Sequence, residues 1–312
     1  LEVCIEDPDE PKDPETPHFI PAYSQKVKAS KEFQTFQFDH SFVLNSLKSS
    51  MEGYVFHNQP LDTDDLLEQT VKLFNSCKTS LELFDMLHNM RAYDDSTYAH
   101  SLNVALICRR IGKWLKVDAA TLDTLTLCGL LHDIGKLKIP DEILNKPGKY
   151  TDEEFDLVKR HTKFGYELLK TLNIDPHIKK AALLHHERCD GSGYPLKATQ
   201  KDLDDFSMIV AIADVYDAMT AARSYRAPLC PFQVIERFEQ EGLQKYKPKF
   251  ILTFLQHIAS TYQNNRVLLS NGQSANIVML NQQHLARPIV QLNDNSCIDL
   301  STRLDLHIQS IL

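Results

Sequence analysis

From Leu61 to Tyr262 the apolar residues recur at the three- and four-residue spacing of helices, and after Asn265 the spacing changes to strict alternation. That change predicts a mainly α chain with a small C-terminal β appendage over 265–312. The helical runs carry Leu66, Leu67, Val71 and Phe74, then Leu83, Phe84, Leu87 and Met90, then Val104, Ile107, Ile111 and Trp114. Start signals precede them: Asp62 to Asp65, the Asp94-Asp95-Ser96 cluster, Asp118 with Thr121, and Thr151-Asp-Glu-Glu154 in capping-box form. The alternating tail predicts strands at Val267–Ser270, Asn276–Leu280, Pro288–Leu292, Cys297–Leu300 and Leu304–Ile308, the first two joined through Asn271-Gly272. Residues 1–60 differ again. An acidic, proline-punctuated arm ends near His18, and Phe19 to about His57 reads as a short ordered segment of unclear type, helical or irregular. Residues 61–92 then supply leading helices.

The chemistry lies where these helices would meet. Gly129-Leu-Leu-His-Asp-Ile-Gly-Lys136 sets an imidazole beside a carboxylate, two kinds of metal ligand from one turn of backbone, and Asp133 can bridge two cations. Lys136 falls one helical turn from His132 and brings a fixed positive charge suited to a phosphate. His100, His161, His185, His186 and Asp214 stand in other segments that read as helix or helix end. Ligands of this kind on separate helices suit a polynuclear site in a helical core. Each also has an ordinary reading: His161 as a surface histidine, the His185-His186 pair as a complement to a helix dipole, Asp214 as a cap. The stretch from Cys189 to Pro195 holds two glycines and a proline, so it must leave the helix and can form the lip of a site.

Charge and cysteine usage exclude several classes. A net charge of −8 gives no basic surface for duplex nucleic acid or an anionic membrane. Seven cysteines without a CxxC pair do not resemble a disulfide framework or a zinc ribbon, and they suit reduced thiols in a cytoplasmic protein. No apolar run reaches the roughly 20 residues of a membrane span.

Five phrases in order carry a resemblance: Thr97-Tyr-Ala-His100-Ser, His132-Asp-Ile-Gly-Lys136, Ile139-Pro-Asp-Glu-Ile-Leu-Asn-Lys-Pro-Gly-Lys149, His185-His-Glu-Arg-Cys-Asp-Gly-Ser-Gly-Tyr-Pro195 and Asp214-Val-Tyr-Asp-Ala-Met-Thr220. Residues 93–264 resemble an HD-GYP domain, a branch of the HD-domain phosphohydrolases. The resemblance implies an HD-type helical bundle with two or three metals that hydrolyses a cyclic dinucleotide, chiefly cyclic di-GMP, to linear pGpG or GMP. By position it implies His100, His132, Asp133, His161, His185, His186 and Asp214 as ligands, with Asp133 bridging and Lys136 on a phosphate oxygen. Gly193, Tyr194, Pro195, Arg223 and Arg226 would border the substrate.

Trimetal members of the family carry Glu one turn before the first ligand histidine, where this chain has Ser96, so two metals are expected rather than three. Iron or manganese is implied by resemblance, although the mixed ligand types also suit zinc, cobalt or nickel. Two such ions roughly 3.5–4 Å apart would share a water and generate hydroxide for in-line attack on phosphorus. Ser224, where the family usually has Pro, departs from the pattern beside Arg223. Cyclic di-GMP and cyclic GMP-AMP remain open as substrates. Two other classes stand beside this reading: a phosphohydrolase for another nucleotide, and a silent cyclic-dinucleotide receptor. The β tail and leading helices offer surfaces for a homodimer.

Overall fold

A computed structural model describes residues 22–90, 96–146, 148–221 and 229–312. The amino-terminal part holds α1 (Ala22–Ala29), α2 (Lys31–His57), α3 (Thr63–Ser76) and α4 (Ser80–Met90). The central body holds α5 (Thr97–Trp114), α6 (Ala119–Leu131), a 3-10 turn at Ile134–Lys138, α7 (Asp141–Leu144), α8 (Asp152–Lys159), α9 (His161–Leu169), α10 (Pro176–Leu184) and α11 (Asp205–Thr220). Helices α12 (Pro231–Glu241) and α13 (Pro248–Thr261) close it, followed by strands β1 (Arg266–Leu269), β2 (Ser274–Met279), β3 (Ile289–Leu292), β4 (Cys297–Asp299) and β5 (Ile308–Ile311).

Side-chain caps begin four helices at the positions the start signals predict, and α11 at one they did not name. Asp62 accepts from Asp64 and Asp65 N–H, Ser96 from Ala99, Asp118 from Thr121 and Asp204 from Ser207. Thr151 and Glu154 form the reciprocal box, each side chain bonded to the other's backbone N–H. These bonds satisfy donors that a helix start leaves orphaned.

The segment read as short and of unclear type is instead the 27-residue helix α2, capped by Ser30 and closed by Asn58 in the left-handed region. Phe33, Phe36, Val43, Leu44, Leu47 and Met51 form its buried face, while Phe38 and Phe42 lie exposed on the opposite side. Aromatic residues on both faces blur the helical period in the sequence. The far end of α2 reaches the central body. Glu52 accepts from the Tyr98 hydroxyl, Tyr54 donates to Leu168 O, and Lys138 donates to Val55 O.

Helix α11 is the axis of the body, for every residue from Ser207 to Thr220 is buried. A helix buried all round must be apolar or must pair each polar group it carries. α11 carries Asp214 and Asp217, and both face the site described below.

The tail forms one antiparallel five-stranded sheet in the order β4-β3-β2-β1-β5. Four strands fall where alternation predicts them. The fifth is displaced: Leu304 and Asp305 are turn, and β5 starts only at Ile308, where it pairs with β1. Val267, Leu269, Ala275, Ile277, Val290 and Ile308 form the inner face of the sheet. It is tied to α12 by Arg287 against Glu236 at 2.6 Å, by Leu285 N–H to Glu239 at 2.9 Å, and by the Cys230 thiol against Ile308 O.

The turn after α6 approaches α9 so closely that Gly135 has no room for a side chain. A Cβ there would stand 1.9 Å from His161 O and 2.4 Å from Gly165 N, both backbone atoms. Gly135→Ala should therefore cost about 3 kcal/mol, at the upper end of overpacking penalties. A urea midpoint that falls while the slope stays constant checks this.

Candidate metal centre

Three of the histidines stand at helix ends. His132 follows α6, His161 follows the end of α8, and His185 follows α10. Each turns its Nδ1 onto a carbonyl of the preceding turn: His132 to Gly129 O at 2.8 Å, His161 to Val158 O at 2.6 Å, His185 to Ala181 O at 2.9 Å. Last-turn carbonyls have lone pairs to spare for a second donor, and Ala181 O takes the His185 ring beside the His185 backbone N–H. Donating Nδ1–H to them fixes the tautomer and leaves each Nε2 as a lone pair facing inward.

What they face is Asp133. Its Oδ1 lies 3.4 Å from His161 Nε2 and 3.7 Å from His185 Nε2. Its Oδ2 lies 3.2 Å from His132 Nε2, 3.7 Å from His100 Nε2 and 2.8 Å from Lys136 Nζ. Two groups of ligand atoms result, each within 4.8 Å: Asp133, His161, His185 and His186 in one, His100, His132 and Asp214 in the other. All seven candidate ligands thus converge. Lys136 arrives differently from its expected placement, since α6 stops at Leu131 and a 3-10 turn carries Lys136 onto Asp133 rather than one α-helical turn beyond His132.

The donor set fits divalent cations. Among the described residues, His132 Nε2, both Asp133 oxygens, His186 Nε2 and Asp214 Oδ2 are buried without a hydrogen-bond partner. Lys136 makes a charge contact with Asp133 Oδ2 but not an aligned hydrogen bond. Orphaned polar atoms cost on the order of 1–3 kcal/mol each when buried, and more when charged. Five of them aimed into one small volume offer imidazole nitrogen and carboxylate oxygen to a common centre, which suits metal ions. The Ser96 hydroxyl is committed to the Ala99 N–H as an N-cap.

The lip is held by a residue that sequence reasoning missed. Glu187 is 2% exposed, and its carboxylate accepts from Leu196 N–H at 2.6 Å and Ala198 N–H at 3.0 Å. This draws Gly193-Tyr194-Pro195 against the site, with Tyr194 N–H on His186 O and the Tyr194 ring stacked on His186 at 4.7 Å. Gly193 is required by close approach, as a Cβ would meet Glu187 Cα at 2.4 Å and His186 O at 2.5 Å. Asp217 was missed as well. Its Oδ2 lies 2.8 Å from His100 Nδ1, while His100 Nε2 lies 3.0 Å from Asp214 Oδ1. The three-residue spacing of Asp214 and Asp217 on one helix was the available signal. Arg223 and Arg226, expected at the substrate border, lie outside the described residues.

Electrostatics keep the site in the ligand-competent state. Burial pushes Asp133 up, yet His132 and Lys136 more than reverse this and hold its carboxyl well below the usual carboxylate range. Burial also opposes ionisation of Asp214, which His100 nevertheless keeps depressed. Burial holds His161, His185 and His186 below the ordinary imidazole range. His100 runs the other way: burial disfavours its charge, but Asp214 and Asp217 raise it. In the metal-free chain the three depressed imidazoles stay neutral while their unfolded counterparts take up protons below about pH 6.5. The unfolded state then binds more protons, so stability falls as pH drops through that point, with His100 offsetting part of the loss. Melting temperatures of metal-free protein should decline steadily from pH 7 to pH 5.

The chain matches the HD domain family over residues 65–250. It is 33% identical to a cyclic di-GMP phosphodiesterase of Pseudomonas aeruginosa over 66% of this chain and 50% of that protein. It is 36% identical to a cyclic di-GMP phosphodiesterase of Thermotoga maritima over 56% of this chain and 48% of the relative. It is 35% identical to 3'3'-cGAMP-specific phosphodiesterase 2 of Vibrio cholerae over 58% of this chain and 35% of the relative. The chain thus spans half or less of the length of these relatives. A solved HDG"Y"P protein of Bdellovibrio bacteriovorus superposes with a TM-score of 0.58 at 19% identity, over 74% of this chain and 78% of that one, a likeness of fold. With its ordered histidine and aspartate motifs converging in one helical body, the chain belongs to the HD domain family.

Proposed function

We propose that the chain is a metal-dependent phosphodiesterase that opens a cyclic dinucleotide, most of all cyclic di-GMP, giving linear pGpG and then GMP. The observation that carries this is Asp133, a buried carboxylate with one oxygen toward each of two ligand groups and neither oxygen hydrogen-bonded. In this reading His161, His185 and His186 share one ion with Asp133, and His100, His132 and Asp214 share the other with it. Two ions, iron or manganese, suit the set better than three, because Ser96 spends its hydroxyl as a cap. Bound there, divalent cations supply Lewis-acid charge to phosphoryl oxygens and lower the pKa of water.

The chain's own groups do the remaining work. Lys136, 16% exposed beside Asp133, places an ammonium where a nonbridging phosphate oxygen gains charge during displacement. Its contact with Asp133 also sets where that ammonium sits before substrate arrives. Tyr194, held on His186 by the Glu187-bonded loop, forms a wall against which a base can lie. The relatives named above act on cyclic dinucleotides, which supports this substrate class. No helix among the described residues is long and apolar enough to cross a membrane, and the reading places the domain in the cytoplasm.

Protein purified without air, loaded with iron(II) or manganese(II) and incubated with cyclic di-GMP, 3'3'-cGAMP and ordinary nucleotides should yield linear product from a cyclic dinucleotide alone. Binding without turnover would instead indicate a receptor. His132→Ala should lose metal and activity with its circular dichroism intact. Lys136→Ala should keep its metal and turn over roughly 100-fold more slowly, the size of one lost electrostatic donor. An unchanged rate would remove Lys136 from the reaction.

A further inference from the structure

Four imidazoles face Asp133, and three of them are braced in one way. His132, His161 and His185 all donate Nδ1–H to a carbonyl in the last turn of a helix. His100 is held differently. It sits in the first turn of α5, and both of its ring nitrogens turn to carboxylates of α11. It is also the most open of the group, with a side chain 15% exposed against 0–2% for His132, His161, His185 and His186. A ligand with more freedom and no carbonyl to brace it needs a partner from another element.

The structure assigns that role to Asp217: we infer that it is the positioning residue for His100, and through it for one of two metal sites. Asp217 is 2% exposed on α11, one turn beyond Asp214, and its Oδ2 lies 2.8 Å from His100 Nδ1. Accepting Nδ1–H leaves Nε2 directed at Asp214 Oδ1, 3.0 Å away, in the group that holds His132. Asp214 and Asp217 thus grip the two nitrogens of one ring from successive turns of a single buried helix. A carboxylate acceptor makes an imidazole a better donor to a cation than a carbonyl does. Through His100, Asp217 belongs to the outer layer of the group that also holds His132 and Asp214.

This inference rests on the metal reading above, and the test separates the two. Metal-free protein is titrated with cobalt(II), followed by visible absorption and by metal analysis after equilibrium dialysis. Wild-type chain should take up two cobalt ions. Asp217→Ala should bind the first as wild type does and the second 10- to 100-fold more weakly, the usual loss for an outer-layer partner. His100→Ala should weaken the second ion too. Asp217→Ala combined with His100→Ala should bind it no more weakly than His100→Ala alone, because the aspartate acts only through the imidazole. Asp217→Leu, which fills the volume without an acceptor, replaces the alanine variant should that one fail to fold. Unchanged binding of both ions, equal weakening of both, or fully additive losses in the double variant would each overturn the role of Asp217. Wild-type protein that binds no cobalt would overturn the metal reading itself.

Discussion

Asp133 is an ionised carboxylate 1% exposed, with imidazoles on both sides and one ammonium at its edge. Isolated, a charge so placed is expensive, and proteins tolerate one only when it is paired or coordinates metal. Much of the body can be understood as the frame that keeps it there. Helix α6 delivers it from an apolar run and stops. The 3-10 turn packs through Gly135 onto the backbone of α9 and so brings His161 opposite. Helix α10 adds His185, and α11, buried on every side, supplies the second carboxylate. Loosening any of these contacts moves a candidate ligand atom rather than only a packing atom.

Much of this was legible beforehand because the informative residues obey short rules. Caps such as Asp62, Asp118 and Thr151 act within three residues, so their spacing alone marks a helix start. The candidate ligand histidines and aspartates are few, chemically distinct and ordered. The less legible parts depend on distant contacts. Helix α2 hides its period because Phe38 and Phe42 face solvent opposite a buried aromatic stripe. Lys136 reaches its place through a tightened turn that periodicity does not foretell. The last strand lies beyond its expected start because β5 takes its register from β1, far back in the sequence. Asp217 and Glu187 looked like ordinary acidic residues until their partners were visible, a histidine 117 residues away for one and two loop N–H groups for the other.

The sequence offers the β tail as a surface for a homodimer. It brings none of its residues into the two ligand groups, and its polar ties run to α12 through Arg287, Glu236 and Glu239. Its inner face is buried, so it extends the body's hydrophobic core instead of standing apart from it.

The helix ends that carry His132, His161 and His185 have one more consequence. The carboxyl terminus of an α-helix carries about half a negative charge, and α6, α8 and α10 all terminate at histidines of the same cluster beside two aspartates. These three ends favour cations, and against them stand Lys136 and the amino-terminal turns of α5 and α9, which carry His100 and His161. The backbone itself, and not only the side chains, thus takes part in setting the potential that a cation meets at the cluster.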